Sequence, residues 1–532
     1  MASRRNSLIS NIANDFNNED TNIENGTRYL ENMVTAPCMP DEKQPHSNED
    51  ITSGDTNCSD PSTTTQQTYR PEQLTETNQD DDTEAQLPQL TKTGTTIFSP
   101  HMKSQRRKIL YQFIKIILTL MVFIFTVFPL FWGASYDTAS HYPKVHSIAV
   151  IQEDIITPDM ENITVPMTSV LPQLIDQAKG TWHVYNSTGF ADKYNIPNDV
   201  DSIEKKMIHL IFSEKYWLAI NIKPNSTANL YNALTNTSSD FFNTTSQYDL
   251  IYESGRDPST VKPSIYPLGM AIQAAFRSFY TTNYLPSMVS NITSANLNVQ
   301  NAVKSGSMVW NEIDYRPYTE RLLMVVTQIC CVYLIILTVF QYLNFAPLHA
   351  EVSKMLTDRS KIIYRVFFSF GTFFILSLFF CTVTAMYSVD FTKSFGRGGF
   401  MIYWMSTWLF MWAVGGANEN IISLIFAIRP PFLGFWILGF VATNIATSFF
   451  PFVLNNNFYR FGYMMPVHNL MAIYRVIFLD LSRHQMGRNY GVLVAWVALD
   501  IITLPLFMKL TSKLMMRKMK KEAELAAAKP QN

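Results

Sequence analysis

The sequence predicts an α-helical polytopic membrane protein with six transmembrane helices and an α+β ectodomain inserted between helices 1 and 2. Charged residues make up only 16% of the chain, below the roughly 25% that is usual for soluble domains. Residues 1–105 are almost devoid of apolar runs, so the remainder is strongly hydrophobic. Its apolar residues form blocks whose length is close to the roughly 20 residues that a helix needs to cross a bilayer core of about 30 Å.

Residues 1–105 are predicted to be a disordered cytoplasmic tail. They are rich in Asn, Asp, Glu, Ser, Thr, Gln and Pro, and such a composition cannot bury enough apolar area to offset chain entropy. The tail lacks the apolar core and cleavage site of a signal peptide, so the first span is expected to act as its own insertion signal. Ser7 follows Arg4-Arg5-Asn6 and is a candidate phosphorylation site.

The first transmembrane helix is predicted over residues 109–132, and the charges around it orient the protein. Lys144 is the sole basic residue that follows closely. Because basic residues concentrate on the cytoplasmic side of a span, the tail is placed in the cytoplasm. Four basic residues stand directly before the helix: Lys103, Arg106, Arg107 and Lys108.

Residues 135–321 are predicted to form an extracellular or lumenal, glycosylatable α+β domain. Strand-like runs at 145–151 and 216–222 alternate with amphipathic helical stretches such as 202–212. The domain contains no cysteine and is therefore expected to fold without disulfides. Six Asn-X-Ser/Thr acceptors predict N-glycosylation at Asn162, Asn186, Asn225, Asn236, Asn243 and Asn291.

Five further apolar blocks predict transmembrane helices 2–6, at residues 322–345, 363–387, 400–415, 432–453 and 491–508. Six spans place the basic loop near Lys354 and the basic tail 509–532 in the cytoplasm. One feature disagrees, because the predicted outer segment between helices 5 and 6 carries four arginines. They are Arg460, Arg475, Arg483 and Arg488.

The apolar stretch 421–428 has two interpretations. It lies between the polar segment that starts at Gly415-Gly416 and the sequence Arg429-Pro430-Pro431. Either it extends helix 4 beyond a kink or it forms a re-entrant segment.

The segment 458–482 predicts an interfacial or re-entrant helix. Aromatic residues are dense at its start, as in membrane interfaces. Pro466 would begin a helix that carries Leu470, Tyr474 and Ile477 on one face. The alternative is a connecting helix that packs helix 5 against helix 6.

Asp500 is the main candidate for a functional residue inside the membrane, because it lies about halfway through helix 6 among apolar residues. A charge at this depth costs at least about 2.5–3.5 kcal/mol. Asn444 and Thr443 in helix 5 are expected neighbours, and Glu419 is a further candidate. These four residues are assigned to a substrate or proton path. The alternative is a structural hydrogen bond between helices.

The sequence carries none of the motifs expected of an enzyme or a metalloprotein. It has no phosphate-binding loop, no His-Glu-X-X-His helix, no Gly-X-Ser-X-Gly turn and no Cys/His cluster with metal-ligand spacing. No enzymatic activity, cofactor or metal is therefore predicted. The net charge of −1 gives no indication of a nucleic-acid partner.

Several sequence blocks point to one family: Gly434-Phe435-Trp436, Thr443-Asn444 and Gly491-Val492-Leu493-Val494-Ala495-Trp496. Over about residues 105–515 the chain resembles the fungal nitrosoguanidine-resistance membrane protein family, whose members look like the membrane component of type 2 ABC exporters. The block Ile148-Ala149-Val150-Ile151-Gln152-Glu153-Asp154 is similar to the opening ectodomain strand of related phage-infection-type proteins. The layout of one span, an ectodomain and five spans is similar too. The motif residues near the interfacial helix are Tyr459, Arg460, Gly462, Tyr463, Pro466, His468, Asn469, Tyr474 and Arg475.

The resemblance implies resistance to toxic small molecules such as nitrosoguanidine at a fungal membrane. It suits a homodimer and leaves two energy sources open, a separate ATPase subunit or a proton gradient acting through Asp500. A third alternative is that the protein does not transport actively. The signal anchor and the sequons favour the secretory route to the plasma membrane.

Two hypotheses follow. One is an export permease with Asp500 and Asn444 lining its cavity. The other is a non-transporting membrane organiser that alters lipid distribution or partner proteins and so drug entry.

Overall fold

The computed structural model describes residues 100–156, 158, 160, 163–235, 241–292 and 297–527. Most of the predicted tail, including Ser7, lies outside these residues, as do the sequons at Asn162 and Asn236. Within the described residues, five helices are long and apolar enough to cross a membrane. The chain is thus a polytopic membrane protein with mostly helical structure and one small sheet.

The first of these helices, α1, runs from Lys103 to Ser135 and is longer than the expected 109–132. Its apolar side chains are exposed along most of its length, and only Val127 and Ala134 are buried. A helix with so little protein contact presents most of its surface to lipid.

The domain inserted after α1, residues 136–320, is built on a five-stranded sheet of order β2-β1-β3-β4-β5. β1 pairs in parallel with β2 and β3, β4 is antiparallel to β3, and β5 is parallel to β4. The strands are β1 His146–Ile151, β2 Thr181–Asn186, β3 Leu218–Ile222, β4 Tyr248–Tyr252 and β5 Asn311–Asp314.

Helices cover both faces of this sheet, so the inserted domain is a layered α/β structure rather than the expected α+β one. Alternate residues of one strand point to opposite faces, as Ile148 and Ala149 of β1 do. The larger core contains Trp310, Tyr248 and Phe276. The helices are α2 Leu171–Gln177, α3 Ser187–Tyr194, α4 Val200–Phe212, α5 Ser226–Thr235, α6 Tyr266–Phe279, α7 Leu285–Asn291 and α8 Val299–Lys304.

Four more long helices follow the inserted domain. They are α9 Arg321–Met355, α10 Asp358–Met386, α11 Gly399–Ile428 and, after two shorter helices, α14 Met486–Ala527. α9 contains one π-helical turn, Val325–Ile329. α11 lies against α10 and α14, and α9 also packs on α11.

α11 continues well past the expected end of helix 4 at Gly415 and includes the apolar stretch 421–428. The two glycines do not end the helix because they serve helix packing. A Cβ added at Gly415 would lie 2.2 Å from the Phe373 ring of α10, and one at Gly416 would lie 2.8 Å from Asp500 Cβ of α14. The glycines therefore allow both neighbouring helices to approach closely.

The expected fifth span, 432–453, is an α-helix only over α12, Leu433–Ala446. α12 runs parallel to α1, since Phe123 meets Phe435 at a ring distance of 4.6 Å and Phe131 meets Phe450 at 5.9 Å. Its 14 residues rise about 21 Å, and residues 447–456 after it form no regular helix.

A 3₁₀ segment, Asn457–Met464, leads into α13, Pro466–Leu479. The helix begins at the expected proline. Eleven of its 14 side chains are buried, and the Tyr474 hydroxyl lies 2.7 Å from Thr407 Oγ1 of α11. α13 is therefore packed among the other helices, as in the connecting-helix alternative, rather than lying on the bundle surface.

Candidate functional site in the membrane bundle

Asp500 of α14 is buried against α11. Its side chain is 7% exposed, and Gly416 leaves room for it. Asn420 Nδ2 donates hydrogen bonds to the Asp500 backbone oxygen at 3.1 Å and to Thr503 Oγ1 at 3.3 Å. The polar neighbours of Asp500 thus come from α11 and from its own helix.

A buried ion pair lies beside Asp500. Arg365 Nη2 of α10 is 3.1 Å from Glu419 Oε2 of α11, and Ser369 Oγ donates to Glu419 Oε1 at 2.8 Å. The guanidinium also lies 5.4 Å from the centre of the Tyr342 ring of α9. Helices α9, α10 and α11 are therefore connected through one arginine.

One cation, Arg365, and two acids, Glu419 and Asp500, are found among the described residues that line the cavity, and we call these three residues the cluster. Arg365 is paired with Glu419, whereas Asp500 Oδ2 has no hydrogen-bond partner in the described part of the chain. The same holds for Asn420 Oδ1. An unpaired charge in an apolar setting is costly, so Asp500 requires a proton or a cationic ligand.

The cavity beside Asp500 is small and partly open at the surface of the bundle. Its volume of about 20 Å³ is enough for a single water molecule. Drug-sized ligands need roughly 300–1,000 Å³, so this conformation accommodates a small polar group at most. Its walls include Arg365, Trp412, Asn420, Asp500, Ile501 and Leu504.

Asn444 and Thr443 lie elsewhere, contrary to the expectation that they neighbour Asp500. Asn444 Oδ1 accepts a hydrogen bond from the Val467 backbone N–H at 3.3 Å, which satisfies a donor in the first turn of α13. Thr443 Oγ1 donates to the Gly439 oxygen in its own helix. Asn444 therefore stabilises the connection between α12 and α13, whereas Thr443 bonds within α12.

A second polar region, the joint, connects the inserted domain to α13 and the loop after it. Arg475 Nη1 of α13 lies 3.7 Å from Asp257 Oδ2 and donates to the Arg256 oxygen at 3.1 Å. Arg316 Nη2 lies 2.8 Å from Asp480 Oδ2. These contacts bind residues just after β4 and β5 to the end of α13.

Three of the four arginines that disagree with the predicted topology have partners in or near the joint. Arg475 pairs with an acid of the inserted domain. Arg483 lies 3.6 Å from Asp480, and Arg488 lies over the Tyr463 ring at 5.1 Å. Arg460 is exposed. Three of the four arginines thus lie against an acidic side chain or an aromatic ring of the protein.

Glu253 is the one acid of the joint with both carboxylate oxygens unpartnered, within the described residues. It is 2% exposed. Burial raises its pKa to about 8, although Arg256 opposes the shift. Arg256 is itself engaged, because its guanidinium lies 3.6 Å from the Trp217 ring and donates to the Tyr216 and Glu214 oxygens.

The family model that matches this chain covers both polar regions. It describes a protein of unknown function, DUF3533, and aligns with residues 116–502. The chain belongs to this family. The match includes the inserted domain, the joint and all three charged residues of the cluster at Asp500.

A relative of this chain is an uncharacterized endoplasmic reticulum membrane protein of Saccharomyces cerevisiae, YJR015W. It is 47% identical over 440 residues, which cover 81% of this chain and 85% of the yeast protein. No solved structure matches. The descriptions of the family and of the yeast relative name no activity, so resistance and export stay predictions.

The remaining motif residues mostly serve packing around α12 and α13. The His468 ring packs at 4.6 Å from Phe452 and 5.5 Å from Tyr463. Asn469 Nδ2 donates to the Tyr463 oxygen at 3.0 Å. A Cβ at Gly462 would meet Thr447 at 2.4 Å, so this position requires glycine for a close approach of two segments.

Tyr459 holds α1 against the 3₁₀ segment. It is 5% exposed and clusters with Ala134 and Ala446. A Cβ at Gly133 would lie 2.6 Å from its hydroxyl. The aromatic motif therefore contacts the first helix, while Phe458 and Met464 stay exposed.

No group of three or more His, Cys, Asp or Glu side chains suited to a metal occurs among the residues that the structure describes. The functional role of the predicted site residues is untested by the fold. What the structure adds is their arrangement, together with Arg365, Ser369 and Asn420, which the sequence patterns did not single out.

Proposed function

We propose that this protein is a permease that exports toxic small molecules, nitrosoguanidine among them, and that Asp500 exchanges protons during transport. The carrying observation is the buried Asp500 carboxyl, whose Oδ2 has no hydrogen-bond partner among the described residues and which lies beside an arginine–glutamate pair and a cavity. Ionisable residues inside membrane helices are rare and mark substrate and proton paths.

The energy source in this proposal is a proton gradient. The chain carries no phosphate-binding loop, and Asp500 supplies a proton acceptor within the bundle. A separate ATPase subunit is the competing source. Because the cavity admits only a small group, transport would require α10 and α14 to move relative to α11, which contacts both.

The proposed topology has six crossings, with both termini in the cytoplasm and the inserted domain on the other side. α12 runs parallel to α1, so it would cross in the same direction. The chain then reaches Asn455, whose backbone oxygen accepts from Lys144 Nζ at 2.9 Å just after α1. These contacts support a sixth crossing made by a short helix and an irregular segment.

Glycosylation tests this topology. Each described sequon asparagine is exposed, and we expect glycans at Asn186, Asn225, Asn243 and Asn291. Removal of N-glycans should increase the mobility of the wild-type chain in gel electrophoresis, and a variant with Gln at all four should lose most of that change. A wild-type chain without glycans, or a variant glycosylated in the tail at Asn25 or Asn57, would contradict the orientation.

The name of the yeast relative places that protein in the endoplasmic reticulum, whereas the sequence argument led to the plasma membrane. At 47% identity over most of both chains, we propose that this protein also resides in the endoplasmic reticulum membrane for at least part of its life. Glycans that stay sensitive to endoglycosidase H would support residence there, and resistant glycans would support passage to the plasma membrane.

The experiment for export measures how fast cells preloaded with labelled nitrosoguanidine lose the compound. Cells with the wild-type protein should lose it several-fold faster than cells without it, and Asp500→Asn should abolish the difference at equal protein abundance. A protonophore should have the same effect as the substitution. Loss that depends on ATP and ignores the protonophore would favour a separate ATPase subunit.

The alternative function is a non-transporting organiser that alters lipid distribution, lipid asymmetry or partner proteins. The observation in its favour is the exposed apolar surface of the 3₁₀ segment, where Phe458 is 62% and Met464 67% exposed beside the lipid-facing α1. This function would be supported if cells with the wild-type protein, without it and with Asp500→Asn lost labelled nitrosoguanidine at the same rate. The compound should then also enter more slowly when the protein is present.

The proposal assigns no enzymatic activity, cofactor or nucleic-acid partner. Membrane lipids and the exported molecules are the proposed contacts, and a homodimer is the assembly that the exporter resemblance suits.

A further inference from the structure

Two buried hydrogen-bond acceptors without partners meet at the cavity beside α14. Asp500 is 7% and Asn420 is 3% exposed. Asp500 Oδ2 and Asn420 Oδ1 lack a hydrogen-bond partner among the residues described, and both side chains line the cavity. A buried acceptor without a partner costs roughly 1–3 kcal/mol, so this pair of acceptors favours a ligand that donates hydrogen bonds.

The charges at the cavity add a second requirement. Arg365 is neutralised by Glu419 at 3.1 Å, so an ionised Asp500 gives the site a net charge of about −1. Without a ligand the carboxyl is favoured in its neutral form. A cation with N–H donors would satisfy both the charge and the acceptors, at N–O distances of about 2.7–2.9 Å.

Size narrows the ligand further. A cavity of about 20 Å³ admits a group the size of water, which fits an ammonium group and excludes a planar guanidinium. Trp412 lines the same cavity, and an aromatic face attracts ammonium ions. The other walls include Val366, Ile501 and Leu504, which provide apolar contact for a chain attached to the ammonium group.

We propose that Asp500 and Asn420 bind the ammonium group of lipophilic primary amines, whose apolar chains lie between α10 and α14 at the lipid-facing surface. This inference rests on the proposed export function and adds a second substrate class to it, distinct from nitrosoguanidine, whose planar guanidine core does not fit the cavity in this conformation. Binding exchanges one cation for another: the protonated carboxyl releases its proton, and the resulting carboxylate pairs with the entering ammonium group. A proton taken up by Asp500 would release the amine in the reverse step.

The test measures binding of labelled dodecylammonium to the purified full chain in detergent micelles. The wild-type protein should bind it saturably and release one proton per amine bound, as followed with a pH indicator. Asp500→Asn should weaken binding by about 10- to 100-fold, since a charge-assisted hydrogen bond is lost. Asn420→Ala should weaken it by about tenfold.

Matched controls separate this site from partition into the micelle. Asp358→Asn changes an exposed acid at the start of α10 and should leave binding unchanged. Dodecyltrimethylammonium has the same charge and chain but no N–H donor, so it should bind about tenfold more weakly. Equal affinity for the two ammonium compounds, unchanged binding in Asp500→Asn, or no proton release would overturn the proposal.

The outcome distinguishes this inference from the export function. If dodecylammonium binds through Asp500 but cells with the protein lose nitrosoguanidine no faster than cells without it, the ammonium site is supported and the export function is not. If Asp500-dependent loss of nitrosoguanidine is measured while dodecylammonium does not bind, export stands and the ammonium site fails. Asp500→Asn removes a buried unpaired acid, so this variant is expected to fold.

Discussion

Replacing Arg365 with leucine should destabilise the membrane bundle by about 3–5 kcal/mol. Arg365 pairs with Glu419 and lies beside Asp500 in a site that contains no other cation among its described lining residues. Without the arginine, two buried acids face each other, and at least one must take up a proton. The loss of stability should appear as a lower midpoint of thermal unfolding for Arg365→Leu than for wild type, both measured on protein purified in detergent.

Two further variants show whether the missing charge causes the effect. Arg359→Leu removes an exposed arginine from the same helix and should change the free energy of unfolding by less than about 0.5 kcal/mol. The double substitution Arg365→Leu and Glu419→Leu should recover much of the lost stability, because it removes both charges. A single Arg365→Leu variant as stable as wild type would exclude the ion pair as a structural element.

The intramembrane acids could be found from the sequence because a carboxyl in an apolar helix stands out from its neighbours. Asp500 and Glu419 were recognised in this way. Their partners could not be found, because hydropathy shows which segments enter the membrane but not which helix faces which. The expected neighbour Asn444 lies in α12, whereas the actual contacts come from α10 and α11.

The helix ends show the same limit. The sequence predicts that helix 4 ends near Gly415 and that the stretch 421–428 either extends it beyond a kink or is re-entrant, since glycine has low helix propensity. In the structure Gly415 and Gly416 lie in the middle of α11, where Phe373 and Asp500 approach on two sides. Close helix packing offset the low helix propensity of glycine, and no local pattern predicts the partner that makes it favourable.

The arginines of the predicted outer loop have tertiary contacts that a count of charges does not include. Counting charges gave a conflict because it treated every arginine as free in solution. Arg475 is instead 13% exposed at its side chain and paired with Asp257. The contact joins α13 to the inserted domain, so a movement of α13 within the bundle would be transmitted to β4 through Asp257 and its neighbours.

Glu253 makes this joint sensitive to pH. Arg316 is committed to Asp480, and Arg256 to two backbone oxygens, which leaves the buried Glu253 carboxyl without a partner in the described chain. The other charged groups that act on it are Glu214 and Asp314, both acids that further oppose its ionisation. The folded joint therefore favours the neutral carboxyl, whose pKa rises to about 8 from 4.5.

A raised pKa of an acid means that the folded state holds a proton that the unfolded state has released. The stabilising effect of this proton is fully present below about pH 4.5, falls as pH increases toward about 8, and is constant above that. The free energy of unfolding of the joint should decline across this window by as much as about 5 kcal/mol. Hydrogen exchange of the peptide that contains residues 248–260, corrected for intrinsic rates, measures the decline.

Glu253→Gln should remove most of the decline, because glutamine has a similar shape and no ionisable group. The variant should be about as stable as wild type near pH 5 and more stable near pH 8, where the wild-type carboxylate is buried and unpaired. Glu312→Gln, an exposed acid of β5, serves as the matched control and should follow the wild-type curve. If the free energy of unfolding changed with pH in the same way for wild type and Glu253→Gln, Glu253 would be charged and solvated in the folded protein. The coupling of α13 to the inserted domain would then depend on Arg475 and Arg316 and not on protonation of Glu253.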